Sequence, residues 1–237
     1  ESAGFFTALH ALIMSKGVSI VLVALFVSPM VGLLAGLMLM ILLLWIFARV
    51  SPGRVRNLFR RMQLVSAGFM AFSHGSNDAQ KAMGIITMAL VSYFSIHPEN
   101  AAAWGVQIAE WQQNRNMVIP NWVIFGCATA MGLGTAAGGW RIMKTMGHKI
   151  IKLRPIDGFA AETAGAAVIL AATHLHAPVS TTHVIASSIM GVGASKRVSA
   201  VRWGIAGNIL MAWVLTIPIS ALVAGLVYLV LHTFFGP

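Results

Sequence analysis

The chain has 237 residues, 58% of them hydrophobic and only 9% charged, with a formal net charge of +10. Soluble domains carry roughly 25% charged residues, so a water-soluble globular domain is excluded. The positive surplus does not point to nucleic acid either, because the basic residues cluster in short stretches between apolar spans, where they report topology.

In chain order, the start opens on Glu1 without a basic n-region, so no cleavable signal peptide is expected. Residues 18–47 contain no charge and exceed the ~20 residues that cross a hydrocarbon core. A first polar loop, 49–61, holds Arg49, Arg54, Arg56, Arg60 and Arg61 and no acid. Residues 62–96 are predicted to cross the membrane. The second loop, 97–121, carries Glu99 and Glu110 against a lone Arg115, and 122–140 crosses back. The third loop, 141–154, is basic through Arg141, Lys144, Lys149, Lys152 and Arg154, and the fourth, 194–203, through Lys196, Arg197 and Arg202. The positive-inside bias places loops one, three and four in the cytoplasm and loop two outside.

Because loops three and four share a side, residues 157–193 must leave and return. Pro178 biases the preceding backbone away from helix and interrupts that segment at His174-Leu175-His176-Ala177-Pro178. Two full crossings of about 18 residues each would fit the length, but a re-entrant hairpin with its polar tip at membrane depth fits better, since irregular backbone there is tolerated only against protein or water. Residues 203–231 then cross outward. Gly32 with Gly36, and Gly134 with Gly138, are spaced for close helix approach. Cys127 is the single cysteine and lies within a span, so neither a disulfide framework nor a cysteine metal site is expected.

Two polar clusters interrupt the apolar sequence. In Gly75-Ser76-Asn77-Asp78, the first three residues are poor helix formers, so the span is predicted to unwind there and expose carbonyls. Asn77 and Asp78 then offer oxygen ligands for a cation, or Asp78 titrates; an ionisable group inside a membrane marks a functional site by default. Lys81, three residues on, lies on the same helical face and can neutralise Asp78, and a bridge that only fixes packing is the plainer alternative. In Pro178-Val179-Ser180-Thr181-Thr182-His183, Pro178 is predicted to open a helix whose first turn holds Ser180, Thr181 and Thr182. Three hydroxyls and unpaired N–H groups at a helix N-terminus make an anion site, although Ser and Thr are also ordinary N-caps. His183 reads as a satisfied interior histidine. For Asp157 and Glu162, placement near a helix start accounts for the charge.

Both clusters carry a resemblance. Gly75-Ser76-Asn77-Asp78-Ala79-Gln80-Lys81-Ala82-Met83-Gly84 resembles the Gly-Ala-Asn-Asp signature of the inorganic phosphate transporter family, and Pro178-Val179-Ser180-Thr181-Thr182-His183 its Pro-x-Ser-Thr-Thr-His hairpin motif. Order and spacing agree, and nearly the whole chain resembles the C-terminal half of a bacterial member. The resemblance implies an all-α, polytopic bundle that forms one half of an inverted-repeat transporter, multi-pass in the bacterial plasma (inner) membrane. It implies symport of phosphate, or of a neutral metal–phosphate complex, with a coupling cation, and no cofactor or resident metal. Ser180, Thr181, Thr182 and Asn77 would contact phosphate, and Asn77, Asp78 and Lys81 would shape the coupling-ion site. Two departures stand out. Many members have a second Asn where this chain has Lys81, which favours proton over sodium as the coupling ion. Members also carry each motif twice and this chain once, so a second repeat is expected as partner, on the same native polypeptide or a separate one. Another tetrahedral oxyanion, sulfate or arsenate, is the rival cargo. An intramembrane enzyme using Asp78 or His74 lacks any nucleophile–base or His-Glu-x-x-His spacing.

Overall fold

The computed structural model describes residues 16–108 and 118–235. Glu1, Glu110 and Arg115 therefore lie outside the described residues. Among the described residues six α-helices run in the order α1 (Lys16–Ile46), α2 (Pro52–Ile96), α3 (Asn121–Lys144), α4 (Pro155–His174), α5 (Thr181–Ala194) and α6 (Trp203–Phe235). All but α5 are long and apolar enough to cross a membrane. α5 has 14 residues, about 21 Å of helix against a hydrocarbon core of about 30 Å.

The basic segments gather at one end, as their shared sign requires. There the end of α1, the starts of α2, α4 and α6 and the end of α5 bury Met40, Leu43, Phe59, Ile156, Val192 and Ala206 in one cluster. Phe59 is its hinge, with ring centroids 5.1 Å from Phe47 and 5.2 Å from Phe159. The acidic second loop sits at the far end of α2, over a separate cluster of Val91, Phe94, Ala101 and Val106. The first loop is shorter than predicted. Ser51 is extended and Pro52 starts the helix, so Arg54, Arg56, Arg60 and Arg61 ride on the opening turns of α2; arginine is a good helix former and nothing stops it there.

The break predicted at Gly75–Asp78 is absent: α2 runs unbroken from Pro52 to Ile96. Gly, Ser and Asn each cost up to ~1 kcal/mol of helix propensity, whereas an unpaired backbone group away from water costs more. Local bonds fit the helix, with Ser73 Oγ donating to Phe69 O at 2.8 Å, and Ala79 and Met83 pack on Val123 of α3.

α2 and α4 run parallel and are joined by two rungs of the same register. Ser66 Oγ donates to Glu162, and three turns further Asn77 Nδ2 donates to Thr173 Oγ1 at 3.2 Å. Glu162 is thus held by an α2 hydroxyl rather than explained by its nearness to a helix start. Asp157, in contrast, is the helix-start residue expected. Its carboxylate is fully buried and accepts from the Arg154 backbone N–H at 2.9 Å and from Lys196, which follows α5. That pair closes the open end of the α4–α5 hairpin. The hairpin tip meets α2 at Asp78, and α2 continues for about 27 Å beyond it.

α5 lies directly on α1. A Cβ at Gly36 would overlap the Ser188 carbonyl, and one at Gly191 the Leu33 carbonyl, so the first glycine pair performs the close approach expected of it. The second does not: a Cβ at Gly134 or Gly138 would meet nothing within 4 Å, and the cluster that α3 shares with α2 lies around Val123 and Cys127, nearer its start. Gly191→Ala is therefore expected to lower the melting temperature of the detergent-solubilised protein by several degrees, an overpacking cost of about 1–3 kcal/mol. Gly134→Ala, tested alongside in a thermal-shift assay, should be neutral or slightly stabilising. Equal stability of the two variants would contradict the packing described.

Candidate functional site

The two polar clusters meet. α2 presents His74, Asn77, Asp78 and Lys81 on adjoining faces, at the i, i+3 and i+4 spacings that place side chains side by side. The hairpin tip supplies Val179, Ser180, Thr181 and Thr182. Thr181 Oγ1 donates to the Asp78 carboxylate, 3.1 Å from Oδ2 and 3.4 Å from Oδ1, across 103 residues of sequence. Lys81 Nζ lies 3.4 Å from Asp78 Oδ1 and donates to the Val179 carbonyl at 2.8 Å. His74 Nδ1 lies 3.5 Å from Asp78 Oδ2. One carboxylate is thereby surrounded by an ammonium, an imidazole and a hydroxyl.

Asn77 is buried, and while its amide nitrogen is occupied by Thr173, its Oδ1 has no hydrogen-bond partner. At the tip the helix begins later than Pro178: Ser180 is the N-cap, with φ −87° and ψ 112°, and Thr181 is the first helical residue. The displacement follows from Val179, whose carbonyl is held by Lys81 and whose side chain is buried with Ala24 and Ala172. Ser180 caps by position only, since its side chain makes no capping bond. The first intrahelical bond runs from Val184 N to Ser180 O at 3.1 Å, so the N–H groups of Thr181, Thr182 and His183 precede it and carry the positive end of the helix dipole. Thr182 is exposed.

Asn77, Asp78, Lys81 and Thr181 are thus brought together by direct bonds; Ser180 and Thr182 share the tip with them. His74, Thr173 and the Val179 carbonyl join the site without having been assigned to it. His74 was legible from its i, i+4 spacing to Asp78, while Thr173 and Val179 lie about a hundred residues away and carry no local signal. His183 is interior but not satisfied: its ring stacks on Trp213 of α6, centroids 3.9 Å apart, and its Nδ1 has no partner. Among the described residues no group of three or more His, Cys, Asp or Glu side chains could hold a metal ion.

Residues 47–224 match the family model described as the phosphate transporter family. The chain belongs to that family. It is 46% identical over 220 residues to a probable low-affinity inorganic phosphate transporter of Bacillus subtilis, covering 93% of this chain and 61% of that protein. A Rhizobium meliloti protein of the same description is 47% identical over 205 residues, covering 86% of this chain and 56% of its own length. The solved structure of a sodium-dependent phosphate transporter superposes with a TM-score of 0.63 at 24% identity, over 97% of this chain and 62% of that one; at that identity the likeness shows the fold. The chain therefore spans between 40% and 61% of the length of the curated relatives it matches.

Proposed function

We propose that this chain is one repeat of an inorganic phosphate symporter, with the tip of the α4–α5 hairpin as its phosphate-binding element and Asp78 as its coupling carboxylate. The observation that carries this is the Thr181–Asp78 hydrogen bond, which joins an anion-binding helix N-terminus to the intramembrane acid. A re-entrant hairpin is supported by α5, which is shorter than the hydrocarbon core, and by a tip that stops part-way along α2. Phosphate, free or as a neutral metal–phosphate complex, accepts from the Ser180 and Thr182 hydroxyls and from the free N–H groups at the start of α5. The Asp78 carboxylate repels a fully ionised oxyanion but accepts a hydrogen bond from the O–H of a protonated phosphate, a donor that sulfate at neutral pH lacks.

Proton coupling is favoured because Lys81 occupies the place a sodium ion would take. Its ammonium already bonds the Asp78 carboxylate and the Val179 carbonyl, two oxygens that would ligate the ion. Asn77 serves the cation side of the site, its nitrogen being engaged by Thr173. The purified chain reconstituted alone in liposomes is expected to give no uptake of labelled phosphate. With the remainder of the transporter added, it is expected to give uptake that excess sulfate does not suppress. Uptake by the chain alone would defeat the half-transporter assignment, and suppression by sulfate would defeat the choice of cargo.

A further inference from the structure

At the basic end of the bundle, where the charge-free span of α1 gives way to Arg49, a pocket of about 540 Å³ lies between the end of α1 and the starts of α2 and α4. Its floor is apolar: Leu43 and Ile156 are buried there, with Phe47 and Val55 packed against them. Among the described residues its only charged lining groups are two arginines, Arg56 and Arg154. Arg56 is exposed and makes no ion pair among the described residues. Arg154 reaches the Asp157 carboxylate through Nε at 3.2 Å and Nη2 at 3.4 Å, which leaves other guanidinium N–H donors open. Asp157 also accepts from Lys196, so its charge is already met and the pocket keeps a positive surplus. α2 and α4 both begin at its rim, with Pro52 and Pro155, and their dipoles add positive ends.

We propose that this pocket binds an anionic phospholipid of the leaflet at the basic end, its phosphate on Arg56 and Arg154 and an acyl chain along Leu43 and Phe47. The positive-inside bias makes that leaflet the cytoplasmic one, and basic pockets between membrane helices on that side suit anionic head groups. The occupant has to satisfy two chemistries at once. Guanidinium forks match a phosphate, and the floor needs an apolar chain. Free phosphate would meet the arginines and leave the floor bare. A helix from the rest of the transporter would cover the floor but desolvate Arg56, which is costly unless an acid comes with it. A zwitterionic lipid also offers a phosphate, but its ammonium is repelled by the two guanidinium groups. Arginines that only set topology need no pocket: Arg49, Arg54, Arg60 and Arg61 lie outside this one, whereas Arg56 and Arg154 line it. The proposal rests on the membrane setting and not on the transport reading.

The test reads lipid retention, not transport. The intact transporter, purified in mild detergent, is titrated with phosphatidylglycerol and followed by native mass spectrometry, with phosphatidylethanolamine as the zwitterionic comparison. The parent is expected to retain phosphatidylglycerol in preference to phosphatidylethanolamine. Arg56→Gln removes one charge-assisted contact and should weaken retention about tenfold. Arg61→Gln removes the same charge outside the pocket and should leave retention unchanged. Gly53→Trp alters no charge. Gly53 lines the pocket and a Cβ there meets nothing within 4 Å, so the indole competes with the acyl chain and should also weaken retention. A parent that retains no phosphatidylglycerol, as when a helix of the remainder fills the pocket, overturns the proposal. So does equal loss in Arg56→Gln and Arg61→Gln, which marks diffuse surface charge. Displacement of the lipid by inorganic phosphate overturns it too, since that marks a site for a free anion. If Gly53→Trp fails to fold, Arg56→Gln decides alone, because Arg56 is exposed and holds no bond that the fold depends on among the described residues. Phosphate uptake is not read, so the two ideas fail separately.

Discussion

Replacing Thr181 and Thr182 together by alanine in the intact transporter is expected to abolish measurable phosphate binding. A hydrogen bond to a charged group contributes about 1.5–3 kcal/mol, so losing the Thr182 donor corresponds to roughly ten- to a hundredfold in affinity, and losing the Thr181 tie to Asp78, which holds the tip in place, adds to it. The two threonines fail in different ways. Thr182 is exposed at the tip, where phosphate is proposed to bind. Thr181 is buried and bonded to Asp78, so its loss frees the carboxylate from its tie to the hairpin. Thr182→Ala should therefore weaken phosphate binding directly. Thr181→Ala should in addition loosen the hairpin tip, because Asp78 no longer ties it to α2. Isothermal titration of the detergent-solubilised transporter separates the cases. Affinity of the double variant within threefold of the parent would remove the hairpin tip as the substrate site.

Lys81→Asn is expected to exchange the coupling ion. In this structure the ammonium is shared between a carboxylate oxygen and a backbone carbonyl, on a stem reaching from α2 to the hairpin. Asparagine removes the fixed charge and adds a carbonyl oxygen, leaving Asp78, Asn77 and the Val179 carbonyl as a hard oxygen set of the kind alkali and other hard cations use. Uptake by the variant should acquire a sodium requirement. Uptake by the parent should collapse when the proton gradient is dissipated and be indifferent to sodium. If the parent already needs sodium in the absence of a proton gradient, or the variant's cation requirement is unchanged, Lys81 is only a structural bridge.

Much of the candidate site was legible before any coordinate. The pairing of Asp78 with Lys81 follows from their three-residue spacing, and the observed bridge matches it. The same-side placement of the three basic segments follows from their charge, and the cluster around Phe59 gathers them at one end. The predicted unwinding at Gly75–Asp78 failed for a specific reason. Propensity is a local quantity of about 1 kcal/mol per residue, and α2 is held straight by its neighbours: Thr173 engages Asn77, Thr181 engages Asp78, and α3 packs on Ala79 and Met83. The helix start at Thr181 rather than Pro178 has the same origin, since Lys81 and the Ala24–Ala172 contact hold Val179 extended ahead of it. Of two glycine pairs with identical spacing, only Gly32 and Gly36 meet a partner. Spacing reports what a helix face permits, and the neighbour decides whether it is used.

By itself the sequence determined the membrane character of the chain, the order of its spans, the sidedness of its charges and the presence of two polar motifs that are costly in an apolar setting. These properties are set by composition and by residues within a few turns of one another. Only the tertiary structure decided that the motifs share one site, that α2 stays helical through its polar run, and that the hairpin ends part-way along α2. Those outcomes rest on contacts between residues 96 to 103 positions apart and on which helix faces find a neighbour. No local pattern encodes such contacts, because their energy exists only once the chain has brought the elements together.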